Sequence, residues 1–297
     1  MKRVLVTGAT SQVGRLLIPQ LVGADYQVLA TSRRAVTPSV IPGVTWIQTD
    51  LQQLSNLPSP LAAADLVIHL APVYVLPDFL QRARLAGLRR VVVFSTTSAV
   101  TKVDSASGRE RAFAERILQA ESAIQRHCNE CQICWTIFRP TLTYGLGVDN
   151  NVSFIARFIQ RFGFFPLIGR GAGLRQPVHV VDLVTACLAV LDNPTTYGHI
   201  YHLGGAEVIS YRVMVERVFE ALGKRPRFIR LPVSILRMGI RCLGYLQRFE
   251  YLTPAMADRM NQDMVFDISD AIHDFGYSPR IFRFTKSELL SIGGVPL

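Results

Sequence analysis

Val4-Leu5-Val6-Thr7-Gly8-Ala9-Thr10-Ser11-Gln12-Val13-Gly14 reads as a buried strand, a tight turn and the start of a helix. Three apolar residues in succession suit a strand covered on both faces. Gly8 permits the turn, and Gly14 lets the following helix lie close on the strand. Val13, Leu16, Leu17 and Leu21 give that helix one apolar stripe. The first N–H groups of the helix lack intrahelical acceptors and favour an anion, and a pyrophosphate suits them best. Gly8, Thr10, Ser11, Gln12, Val13 and Gly14 are therefore expected to hold a dinucleotide. Ser11 stands where this loop ordinarily carries a third glycine, yet serine still offers its N–H and hydroxyl. A glycine-bearing turn with no ligand is the plainer alternative.

The next strand, Gln27-Val28-Leu29-Ala30-Thr31-Ser32-Arg33-Arg34, bears on the cofactor type. An NAD site ends this strand with an acid that binds the ribose hydroxyls. Here no acid occurs between Asp25 and Asp50, and Arg33 and Arg34 stand where a 2′-phosphate would be. A guanidinium grips phosphate through two hydrogen bonds, so the sequence favours NADP(H) over NAD(H). A solvated basic turn is the alternative.

Further apolar runs at Thr45–Ile47, Leu66–Leu70, Val91–Phe94 and Ile133–Phe138 alternate with helical patterns such as Phe113, Ile117, Leu118 and Ile124. Alternation of this kind implies a parallel sheet with right-handed crossovers, a Rossmann-like, doubly wound α/β fold. After Arg139-Pro140 the rhythm changes to helices broken by Gly- and Pro-rich turns. Residues 1–149 are read as the dinucleotide-binding domain and 150–297 as a smaller, mostly helical substrate region. One strand near His199–Leu203 is expected to return to the sheet.

The 297 residues are 49% apolar and carry a formal charge of +10. No acid lies between Glu220 and Glu250, where Lys224, Arg225, Arg227, Arg230, Arg237, Arg241 and Arg248 all fall. Such a stretch favours an anionic partner. Nucleic acid is disfavoured, because aromatic interleaving and a recognisable nucleic-acid module are missing. Leu231–Arg248 has the pattern of an amphipathic helix with a basic stripe, packed on the core or lying on an anionic membrane. With no signal peptide and no run long enough to span a bilayer, a cytoplasmic location is expected, peripheral to a membrane if that helix binds lipid. His127, Cys128, Cys131 and Cys134 superficially spell a metal run. Their place in a helix-to-strand turn argues against shared ligation, and a fourth ligand is missing nearby.

Other segments resemble the extended and atypical short-chain dehydrogenase/reductases, in particular the NAD-dependent epimerase/dehydratase branch. Asp50-Leu51 is similar to the pair that binds adenine after the third strand, and Val67-Ile68-His69-Leu70-Ala71 to the fourth strand, whose alanine lies beside the cofactor. Val91–Ser98 resembles the fifth strand and its hydroxyl cluster, with Ser95 and Thr96 against the cofactor. Thr136–Gly145 resembles the segment that closes over the nicotinamide, through Pro140. Arg175–Leu183 resembles the substrate-domain signature, in which Arg175 inherits a contact to a substrate diphosphate. Asp182 is read there as the cap of the next helix and His179 as a packed structural residue. The resemblance implies a small-molecule substrate, a nucleotide sugar or a related carbonyl compound.

One departure matters. Catalytic members use a Tyr-x-x-x-Lys pair on the fifth helix, with a Ser or Thr after the fifth strand. Thr97 matches the latter by position. The pair is missing: between Thr97 and Cys134 there is no tyrosine, and the only lysine is Lys102. Aligning Arg116 with the lysine puts Ala112 at the tyrosine, and aligning Arg111 puts Ser107 there. The candidate substitute acid is Tyr144, more often a packing residue at this position, or a substrate-held water. Two functions follow: an NAD(P)(H)-dependent epimerase/dehydratase-like oxidoreductase with an unusual acid, or a non-catalytic NADP(H)-binding structural or redox-sensing protein. The atypical branch includes the second kind, such as the nucleotide-binding accessory subunit of respiratory complex I.

Overall fold

A computed structural model of the chain describes residues 2–35, 41–53, 59–83, 85, 87–231, 260–285 and 288. The apolar runs become strands β1 (Arg3–Thr7), β2 (Gln27–Ser32), β3 (Val44–Gln48), β4 (Leu66–His69), β5 (Arg90–Phe94) and β6 (Cys134–Pro140). Three short pairs lie outside the main sheet: β7 (Thr143–Tyr144) with β10 (Val178–His179), β8 (Phe165–Ile168) with β13 (Phe228–Leu231), and β9 (Leu174–Arg175) with β12 (Ile209–Ser210). The seventh strand of the main sheet is β11 (His199–Leu203), paired in parallel with β6. The order is β11-β6-β5-β4-β1-β2-β3, and every pairing is parallel.

Alternation along each strand sends side chains to two cores. Val4, Val6, Val28 and Ile68 pack with α1 (Gln12–Gly23) and with α7 (Val180–Val190) on one face. Leu5, Leu29, Val67, Val91 and Val93 pack on the other. That second face is covered by the four-residue α2 (Ser59–Ala62), by α3 (Leu76–Ala83), by the short α4 (Ser98–Thr101) and by α5 (Gly108–Glu130). Strands buried on both sides explain why the runs carry no polar alternation. A third core forms around α6 (Val152–Phe162) and α8 (Tyr211–Ala221), where Ile155, Phe165, Val215, Phe219 and Phe282 meet. A further helix, α9 (Ser269–Phe275), packs beside β11. Beyond Leu231, the basic 231–248 segment lies outside the described residues.

Candidate functional site

The sheet order reverses between β1 and β4, and ligands of this architecture bind in the crevice beyond such a switch point. Gly8 turns there with φ +66°, and a Cβ on it would come within 2.6 Å of the Leu70–Ala71 peptide. The turn after β1 thus meets the end of β4 backbone to backbone. Gly14 is held as closely: its Cβ would lie 2.3 Å from the Ala9 carbonyl oxygen. Ser11 caps α1, its Oγ accepting from Gly14 N–H at 3.1 Å.

His69, fully buried at the end of β4, ties this corner together. The Pro72 carbonyl, 3.1 Å from Nε2, can only accept, so Nε2 carries the proton of the neutral ring. Nδ1 then accepts from Thr7 Oγ1 at 2.7 Å. Burial drives the imidazole down to about 4, which keeps it neutral at physiological pH.

Two adjoining cavities open at the switch point. The inner-strand cavity, about 510 Å³, is lined by Gly8, Thr10, Ser11, Arg33, Asp50, Leu51, Ala71 and Arg116, among others. The second, about 430 Å³, is lined by Ser11, Gln12, Val13, Ala71, Ser95, Thr96 and Pro140 together with apolar side chains. Ser11, Leu70, Ala71, Pro72 and Tyr74 line both. Both volumes are of the size that small ligands and cofactors occupy. The Arg116 guanidinium lies over the Tyr74 ring, 3.7 Å from its centroid, at the wall common to the two.

The residues suit a dinucleotide. Gln12 and Val13, whose N–H groups precede the hydrogen-bond ladder of α1, stand at the mouth of one cavity. Arg33 and Arg116 give the other two cations. Gln12 Oε1 is buried without a hydrogen-bond partner among the described residues and can accept one from a ligand.

The α5 positions that face the second cavity are Phe113 and Ile117, spaced four apart. These are neither of the alignments tried on the sequence; Ala112 and Ser107 do not line either cavity. The apolar stripe that buries Ile117 and Ile124 against the sheet sets the phase of the helix. At these two positions the cavity wall carries a phenyl ring and a sec-butyl group, neither of which exchanges a proton.

Behind Ser95 lies a polar network that no local pattern in the sequence reveals. Ser95 Oγ donates to Glu121, a carboxylate of α5 that is 1% exposed. Arg139 of β6 clamps the same carboxylate through Nε and a terminal nitrogen. His202 neighbours Arg139 on β11; burial and that guanidinium hold its imidazole below the usual value.

Other residues singled out from the sequence fall elsewhere. Thr97 is buried, its Oγ1 donating to Pro140 O at 3.2 Å, while Thr96 rather than Thr97 lines the cavity. Tyr144 is fully buried between His179 and Phe282, its hydroxyl accepting from Arg283 N–H at 3.3 Å. Burial pushes that phenol up to about 12, and it borders neither cavity. Arg175 is 4% exposed and donates to the carbonyls of Leu174 and Gln262, each at 2.7 Å. Arg34 is exposed. The cap of α7 is corrected: His179 is the N-cap, its Nδ1 accepting from Val181 N–H at 3.2 Å. Asp182, one turn in, instead pairs with Arg280 at 2.8 Å. Cys128 is buried in α5, Cys131 follows in the turn and Cys134 opens β6. No group of three or more metal-ligating side chains occurs among the described residues.

A nucleotide crevice at the switch point of a parallel sheet defines the class, an NAD(P)-binding α/β protein, and residues 8–145 match the NAD(P)H-binding family. In sequence and in fold it is similar to short-chain dehydrogenase/reductases and epimerases. It is 29% identical to subunit 9 of the NADH dehydrogenase [ubiquinone] 1 alpha subcomplex, mitochondrial, from Arabidopsis thaliana, over 78% of this chain. It spans only 61% of the length of that relative. It is 23% identical to the 2-alkyl-3-oxoalkanoate reductase of Shewanella oneidensis, covering 92% of this chain and 81% of the reductase. In fold it is similar to a UDP-glucuronic acid 4-epimerase from Bacillus cereus solved with UDP-glucuronic acid and NAD. That likeness has a TM-score of 0.73 at 18% identity, over 94% of this chain and 95% of the epimerase. The cofactor is therefore a nicotinamide dinucleotide. No helix among the described residues is long and apolar enough to cross a membrane.

Proposed function

We propose that the chain is an NADP(H)-dependent oxidoreductase of the epimerase/dehydratase type, acting on a nucleotide sugar or a related carbonyl compound. The observation that carries this reading is the pair of joined cavities. One is edged by the Gly8 loop, Asp50-Leu51 and Arg33; the other by Ser95, Thr96 and Pro140. On this reading, Gly8, Thr10, Ser11, Gln12, Val13 and Gly14 cradle the pyrophosphate, Asp50 and Leu51 meet the adenine, and Arg33 takes the 2′-phosphate. Arg34 adds positive charge from the surface. Ala71, Ser95, Thr96 and Pro140 border the nicotinamide, which when bound supplies hydride transfer. Arg116 serves as a cationic anchor for the anionic cofactor and not as a proton carrier.

A second reading, a protein that holds NADP(H) without turnover, is favoured by Phe113 and Ile117 at the positions facing the cavity. Neither side chain can give or take a proton. The similarity to a respiratory-chain subunit points the same way.

Titration with NADPH and NADH, followed by NADPH oxidation assays with UDP-4-keto sugars and 3-oxoalkanoates, tests both. Tighter binding of NADPH with turnover of any substrate supports the enzyme. Tight NADPH binding without oxidation across the panel supports the second reading. A preference for NADH overturns the assignment of Arg33.

A further inference from the structure

The cavity beside Ser95 and Pro140 is apolar beyond what a nicotinamide ring requires. Val73, Phe94, Phe113, Ile117 and Leu183 make up much of its wall, and no Lys or Arg occurs among the described residues that line it. Apart from the Tyr74 phenol, its hydroxyl groups bond to the protein. Ser11 accepts from Gly14 N–H, Thr96 Oγ1 from Ser98 N–H at 3.2 Å, and Ser95 donates to buried Glu121. Arg175, to which the sequence resemblance assigned a substrate diphosphate, donates from one terminal nitrogen to two backbone carbonyls and lines neither cavity.

The apolar character continues to the surface. Phe113 is 38% exposed, and α4 and the turn after it present Val100 and Val103, 39% and 42% exposed. Lys102, between those two valines, holds its ammonium 5.1 Å from the centre of the Phe113 ring, which places this lip at the Phe113 end of the cavity. Leaving such side chains in contact with water costs free energy that an apolar ligand would recover.

We infer that the second ligand of this site is a carbonyl compound carrying a hydrocarbon chain, seated between Phe113 and Ile117 with the chain leaving over Val100 and Val103. A sugar diphosphate is not its natural occupant. This rests on the cofactor assignment above. It holds for either reading of turnover, because it concerns what the cavity binds.

The test uses the neutral fluorescent probe N-phenyl-1-naphthylamine, titrated into the full chain with and without saturating NADPH. Saturable, one-site enhancement is expected, undiminished by excess UDP-glucuronic acid. Phe113→Glu and Ile117→Asn should each weaken the probe about tenfold or more, the scale of one lost apolar contact. The Phe113→Glu variant should still bind NADPH. Phe113 already reaches solvent, so its variant is expected to fold, and the NADPH titration checks that it has. Non-saturable enhancement, equal probe affinity in both variants, or displacement by UDP-glucuronic acid would overturn the proposal. Failure of the unaltered chain to bind NADPH would sink the cofactor assignment instead, and the titration without NADPH then decides the apolar site by the same criteria.

Discussion

Acidification should loosen this protein through one buried ring. His69 is neutral, fully buried and bonded at both nitrogens, to Thr7 and to Pro72. Its imidazole titrates near 6.5 in an unfolded chain and at about 4 in the folded one. The unfolded chain therefore binds the proton more tightly, and the contribution of the ring is intact above pH 6.5 and lost as pH falls toward 4. At about 1.36 kcal/mol per tenfold ratio the full linkage is about 3 kcal/mol, of which about 2 is gone by pH 5. Urea unfolding at pH 5, 6, 7 and 8 measures it, with His69→Gln as the control. The glutamine amide keeps a donor for Pro72 O but cannot take up a proton in this range. Near neutral pH the variant should be less stable by about 1 kcal/mol for the bond lost to Thr7. Between pH 7 and 5 it should lose about 2 kcal/mol less than the parent. Identical pH slopes in the two proteins would refute the reasoning.

Three further outcomes are expected. Arg33→Ala should weaken NADPH by about 10- to 100-fold, the worth of a charge-assisted bond to phosphate, and leave NADH within about twofold; equal losses for both would remove Arg33 from the 2′-phosphate. Glu121→Gln leaves the Arg139 guanidinium buried without its carboxylate, a cost of about 3–5 kcal/mol, so the thermal midpoint should fall by roughly 10 °C, and an unmoved midpoint counts against the network. Gly14→Ala drives a methyl group into the Ala9 carbonyl and should lower both NADPH affinity and thermal midpoint, whereas Gly163→Ala, at a helix end with open space around it, should leave NADPH affinity unchanged.

The sheet and the dinucleotide loop were legible because their signals are local. Val4–Val6 and Val91–Phe94 are apolar because both their faces are covered, and Gly8 and Gly14 mark points of backbone approach. What stayed hidden depends on phase or on distance along the chain. Phe113 and Ile117 already stood in the apolar pattern of the fifth helix. Which residues of that helix face the crevice turns on a rotation of about 100° per residue, fixed only when Ile117, Ala120 and Ile124 settle on the sheet. Arg175 was read as a substrate contact, and one of its partners, the Gln262 carbonyl, lies 87 residues away. The union of Ser95, Glu121 and Arg139 likewise joins two strands and a helix. Asp182 looked like a cap because aspartate favours that role. The helix starts two residues earlier, where His179 supplies the acceptor.

The contact of Gly8 with the Leu70–Ala71 peptide has an evolutionary corollary. Where main chain meets main chain, few side chains are there to vary, so this corner can outlast nearly complete turnover of the surrounding sequence. Four of every five residues differ between this chain and the epimerase it superimposes on. Position 113, a half-exposed side chain, is under no such restraint. A crevice built in this way can exchange its side chains while the backbone corner keeps its shape.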